Sequence, residues 1–66
     1  MTDFHQNERR VLDALYAAEK PLSTQKVADM ADMSWPTADK YLNRLREKEF
    51  VTAGKLSKTT YWWLQT

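Results

Sequence analysis

Two serines, Ser23 and Ser34, stand where helices can begin, and the short span between them constrains this chain more than any other feature. A serine hydroxyl can accept one of the free backbone N–H groups in a helix's first turn. After Ser23, the segment Thr24 to Ala31 sets Val27, Ala28 and Ala31 on one stripe, and Leu22 before the cap can staple onto Val27. Asp32-Met33-Ser34 leaves room only for a tight turn, and Asp32 is among the few non-glycine types that tolerate a left-handed backbone there. Ser34 then caps a second start. Trp35 and Pro36 fall in the first turn, where proline's missing N–H costs nothing. Ala38, Tyr41, Leu42 and Leu45 continue as an apolar stripe, and this helix is expected over roughly Ser34 to Lys48.

An earlier helix runs to about Glu19, with Val11, Leu12, Leu15 and Ala18 on its apolar stripe. Its start has two readings: Asp3 with Gln6 as a capping box, or Asn7 as the cap. Lys20-Pro21 ends it, since a residue before proline avoids the helical region. Downstream, Phe50 to Ala53 alternates like a strand, Gly54 to Thr59 reads as turn, and Thr60 to Leu64 is β-branched and aromatic, a second strand. Leu22 and its neighbours suggest a very short third strand. The chain has 66 residues, no cysteine and a single glycine, so packed aliphatics and its eight aromatics (three Trp, three Tyr, two Phe) must supply the core. The expectation is an α+β fold, mostly α: one domain over residues 1–66, three helices and a C-terminal β-hairpin. No leader precedes the first helix in this reading, and no dimerisation helix follows the hairpin. No apolar run is long enough to span a membrane, so the default location is the cytoplasm.

The net charge of +1 hides an asymmetry. Residues 1–33 carry four basic side chains against six acidic, a net of −2; residues 34–66 carry six against three, a net of +3. The basic C-terminal half suits a polyanion, although charge alone favours ordinary solvated surface.

The segment from Leu22 through Ser34-Trp35-Pro36-Thr37-Ala38 resembles the helix-turn-helix of bacterial and archaeal winged-helix regulators, including the MarR and ArsR groups. Those proteins show a hydroxyl cap, an apolar-Ala pair, a tight turn, and Ser-x-Pro-Thr opening the recognition helix. Tyr41-Leu42-Asn43-Arg44-Leu45 through Phe50-Val51 resembles their recognition helix running into the first wing strand, and Tyr61-Trp62-Trp63-Leu64 their last one. The likeness covers nearly the whole chain. It departs at Asp32 and Glu49, where such families commonly have glycine; a left-handed Glu49 would be strained. The likeness to Z-form-specific winged helices is weaker, because their Asn and Tyr one turn apart fall here at Asp39 and Asn43.

This resemblance implies double-stranded DNA as partner, a transcriptional regulator as role, helix 34–48 in the major groove and a wing over 51–64 on the backbone. On the recognition helix the candidates are Ser34, Trp35, Thr37, Lys40, Asn43 and Arg44. Lys40 and Arg44 lie one turn apart and suit phosphate or guanine; Asn43 suits a two-pronged pairing with adenine; Ser34 and Thr37 sit at the helix N-terminus. Asp39 and Glu47 oppose this, Asp39 either accepting from a cytosine amino group or sitting at the interface edge. Trp35 has two readings, a cover over a thymine methyl or sugar, and an amphipathic lid folded back on the turn and Met33. Thr24, Lys55 and Lys58 are expected on phosphate. Neighbouring strand residues face opposite sides, and the register of the families it resembles implies Trp62 and Leu64 inward and Tyr61 and Trp63 outward. The outward pair is either a homodimer surface or covered by Phe4 or Tyr16. The alternative function is a winged-helix module that binds protein. An enzyme, a metal site or a cofactor finds no support: His5 stands alone, carboxylates are scattered, and there is no phosphate-cradling glycine loop.

Overall fold

The computed structural model describes residues 4–65. Its elements run α1 (Gln6–Ala18), β1 (Leu22–Ser23), α2 (Thr24–Ala31), α3 (Trp35–Glu47), β2 (Val51–Leu56) and β3 (Thr59–Leu64). The three strands form one antiparallel sheet in the order β1-β3-β2, with Leu22 opposite Trp62 and Val51 opposite Leu64. The expected short strand at Leu22 is therefore present. It ties the chain just before α2 to the centre of the sheet.

The caps explain most of the boundaries. Ser23 accepts from the Lys26 N–H at 3.1 Å and Ser34 from the Thr37 N–H at 3.4 Å, as expected. At α1 Asn7 is not the cap, and the capping box expected of Asp3 with Gln6 falls partly outside the described residues. His5 takes the position, in extended backbone: its Nδ1 accepts from the Asn7 N–H at 3.1 Å while Glu8 reaches back to the His5 N–H at 2.8 Å. An imidazole nitrogen with a free lone pair does here what a carboxylate or hydroxyl does elsewhere.

Each helix ends on a left-handed non-glycine residue. Glu19 has φ 54°, Asp32 56° and Glu49 66°. After α3 the Phe50 N–H donates to Leu45 O and the Glu49 N–H to Arg46 O, the paired bonds of a Schellman end. This end uses the Phe50 N–H, so β2 begins at Val51 rather than at Phe50.

The hairpin also differs from expectation. Gly54 lies inside β2, opposite Tyr61, and the turn shrinks to Ser57 and Lys58. The glycine is needed for space: a Cβ there would sit 2.8 Å from the Trp63 ring, which lies against the bare backbone. Ser57 takes a left-handed φ of 57° at the first turn position, where type II′ turns favour glycine.

The core joins all three helices to the inner sheet face, around Val11, Leu15, Val27, Ala38, Leu42, Leu45, Val51 and Trp62. Trp62 is buried and its indole N–H donates to Thr24 Oγ1 at 2.8 Å, locking the centre of the sheet to the start of α2. Trp63 faces the other way and keeps 37% of its surface. Among the described residues no helix is long and apolar enough to cross a membrane, and no group of three His, Asp or Glu side chains is placed to hold a metal.

Candidate nucleic-acid interface

The buried stripe of α3, Ala38, Tyr41, Leu42 and Leu45, turns the opposite face of the helix to solvent. Trp35, Pro36, Lys40, Arg44 and Glu47 are exposed there, while Thr37, Asp39 and Asn43 are half-buried on the flanks. Trp35 keeps 48% of its surface, so it does not close down fully as a lid over the turn.

Lys40 and Arg44 are held by the residue between them. The Lys40 Nζ lies 5.5 Å and the Arg44 Cζ 5.9 Å from the centroid of the Tyr41 ring. That ring is itself only 8% exposed, and the His5 imidazole stacks on it at 5.0 Å and 24°. A cation near an aromatic face gains about 0.5–1 kcal/mol at exposed sites, which restricts both side chains without neutralising either. Sequence reasoning missed this cradle because it took Tyr41 for core alone.

Asn43 is more committed than expected. Its Nδ2 donates to the Asp39 carbonyl one turn back at 2.8 Å, so one amide hydrogen is already used within the helix. Ser34 and Thr37 are also turned toward each other, with Ser34 Oγ donating to Thr37 Oγ1 at 2.9 Å. Lys55 and Lys58 are exposed on the hairpin, Lys55 opposite Thr60 and Lys58 in the turn.

Thr24 corrects the sequence reading. Its side chain is 6% exposed and its hydroxyl accepts from Trp62. It anchors the sheet to α2, and the phosphate contact expected of it is not available to a hydroxyl that faces the core.

The carboxylate of Glu8 was not singled out in the sequence. It is 1% exposed, accepts from the His5 N–H through Oε1, and pairs with Lys48 Nζ through Oε2 at 2.9 Å. Burial pushes its pKa up, but the Lys48 ammonium, the His5 N–H and more distant Arg44 outweigh that and hold it below the ordinary 4.5. A signal was present: Glu8 continues the Val11–Leu15 stripe backward at helical spacing. Beside this pair, Phe4 packs edge-on against Phe50 at 4.9 Å. Phe4 thus covers the far end of α3 and is not the lid expected over Trp63. Tyr16 is 76% exposed, and with Pro21, Trp63 and Leu64 it lines an open groove on the outer side.

Three helices, a helix-turn-helix corner and a two-stranded wing braced by β1 make this a winged helix-turn-helix domain. The chain belongs to a family of unknown function, DUF7342, whose model matches residues 5–65. No curated protein matches the sequence. Among solved structures it is similar to MepR, a transcription regulator of the Staphylococcus aureus multidrug efflux pump MepA, at 21% identity and a TM-score of 0.86, covering 97% of this chain and 49% of that one. It is similar to the homodimeric winged helix-turn-helix DNA-binding domain Mb0332 of Mycobacterium bovis at 22% identity and a TM-score of 0.79, covering 91% and 54%. It is also similar to the Zalpha domain of Carassius auratus PKZ, solved in complex with Z-DNA, at 22% identity and a TM-score of 0.80, covering 91% and 94%. The chain spans about half the length of the two regulator structures.

Proposed function

We propose that this domain binds double-stranded DNA sequence-specifically, as the DNA-contacting part of a transcriptional regulator. In this reading α3 enters the major groove and the wing follows the backbone. The observation that carries it is the pair of cations held one turn apart on the outward face of α3 by the Tyr41 ring. Lys55 and Lys58 extend the charge to the wing. Lys40 and Arg44 suit phosphate or a guanine edge, and the wing lysines suit phosphate. The descriptions of Mb0332 as a DNA-binding domain and of MepR as a transcription regulator agree with this. The decisive experiment is a fluorescence titration of random duplex DNA at two salt concentrations. About four neutralised phosphates give a slope of log affinity against log salt near −3.6. A duplex affinity too weak to measure at low salt, in a chain shown by circular dichroism to be folded, ends this reading.

A second reading concerns the outer sheet face, and the groove beside Trp63 favours it. Tyr61 is half-buried and Trp63 is exposed, next to a protruding Tyr16. This face suits a homodimer or another protein partner. Sedimentation of the wild type and of Trp63→Ala tests the homodimer: a dimer that the substitution dissociates supports it, and a wild-type monomer at high concentration rejects it.

A further inference from the structure

The first turn of α3 differs from the rest of its exposed face. From Lys40 onward every exposed side chain of the helix is charged: Lys40, Arg44, Arg46 and Glu47. The first turn instead offers the Trp35 ring at 48% exposure and the exposed pyrrolidine of Pro36. Apart from the indole N–H of Trp35, its side-chain polar groups are turned inward on the helix itself. Ser34 Oγ accepts the Thr37 N–H and donates to Thr37 Oγ1, and Pro36 has no N–H at all. An apolar turn has little to offer the donors and acceptors of a base edge. The major groove displays one apolar group, the C5-methyl of thymine.

We infer that Trp35, with Pro36 beside it, is a specificity-determining contact that reads thymine methyl groups. This rests on the DNA-binding reading above. Lys40 and Arg44 then hold the helix on the duplex, while the first turn selects for T-containing steps by burying methyl surface. The charge next to it makes a duplex the fitting occupant of this apolar turn, since Lys40 lies one turn from Pro36 on the same face.

The test uses two short duplexes of alternating A·T pairs, identical except that deoxyuridine replaces every thymidine in one. The replacement removes only the methyl groups. The wild-type domain is expected to bind the thymidine duplex at least about fourfold more tightly, the effect of one methyl removed from water. Trp35→Ala is expected to bind both duplexes equally, and Trp35→Phe to keep the preference. Should the alanine variant fail to fold, Trp35→Gln carries the same comparison. Equal wild-type affinity for the two duplexes overturns the inference and leaves DNA binding intact. A preference that survives in folded Trp35→Ala also overturns it, since the discrimination then comes from duplex shape. Binding to neither duplex at low salt overturns the DNA reading and this inference with it.

Discussion

Lys40, Arg44 and Lys48 follow one another at single-turn intervals along α3, yet they end in two kinds of surroundings. Lys40 and Arg44 lie over the Tyr41 ring with their charge open to solvent. Lys48 is paired at 2.9 Å with a carboxylate that is 1% exposed, and its ammonium also lies 5.8 Å from the Phe4 ring. The first pair is available to a polyanion. The last is a structural cation that fastens the end of α3 to the start of α1. Similar residues along one face thus divide between solvent and a buried ion pair according to what the first helix brings against them.

That division can be broken most strongly at its buried end. Lys48→Ala leaves the Glu8 carboxylate with only the His5 N–H as partner. Losing a partner of a buried ionised group costs about 1–3 kcal/mol, a range already reduced because the Lys48 side chain is 37% exposed. Urea unfolding measures this, and duplex affinity should barely change. A loss below about 0.3 kcal/mol would place Lys48 with the free cations.

The same pair predicts a pH dependence. The folded-state pKa of Glu8 is depressed below 4.5, so its contribution is present above that value and is lost as pH falls through the lower folded value. Unfolding free energy should therefore drop below about pH 4.5 more steeply in the wild type than in Glu8→Gln, whose amide does not titrate. Parallel curves for the two proteins would show that the pair does not titrate with folding.

Smaller again is the effect at the helix end. Glu49 holds a left-handed φ of 66°. Replacing it with glycine removes the Cβ strain and should stabilise the fold by up to about 1 kcal/mol. A measured loss would mean that the Glu49 side chain contributes more than its backbone conformation costs.

A small stability effect belongs to the pair proposed to contact DNA. Lys40→Ala and Arg44→Ala should each cost no more than the contact with the Tyr41 ring, about 0.5–1 kcal/mol. Each should nevertheless reduce the magnitude of the salt slope of duplex binding by about one. Arg44→Ala should also flatten discrimination between duplex sequences if its contact is to guanine. Large stability losses here, or an unchanged slope, would erase the distinction between the two parts of α3.

Much of this architecture was legible in the amino-acid order. Ser23, Ser34, Asp32 and the apolar stripes set helix starts, a tight turn and buried faces through local chemistry, which acts over one or two turns and so leaves its mark in spacing. The alternation of Trp62 and Trp63 followed from strand geometry in the same way, while a left-handed Glu49 was raised only by the resemblance, whose families have glycine there. Other features required the packed chain. Gly54 reads as turn material, but its role is to admit the Trp63 ring from the neighbouring strand. Thr24 reads as an exposed hydroxyl at a helix start, but Trp62, thirty-eight positions along, takes it into the core. Glu8 reads as an ordinary surface carboxylate until Lys48, forty positions along, arrives beside it. His5 becomes a stacking partner only because α1 starts against Tyr41. Local hydrogen bonding and periodicity were fixed by near neighbours in the chain. The pairings that decide which polar groups are buried and which cations stay free depend on elements that only tertiary packing brings within a few ångströms.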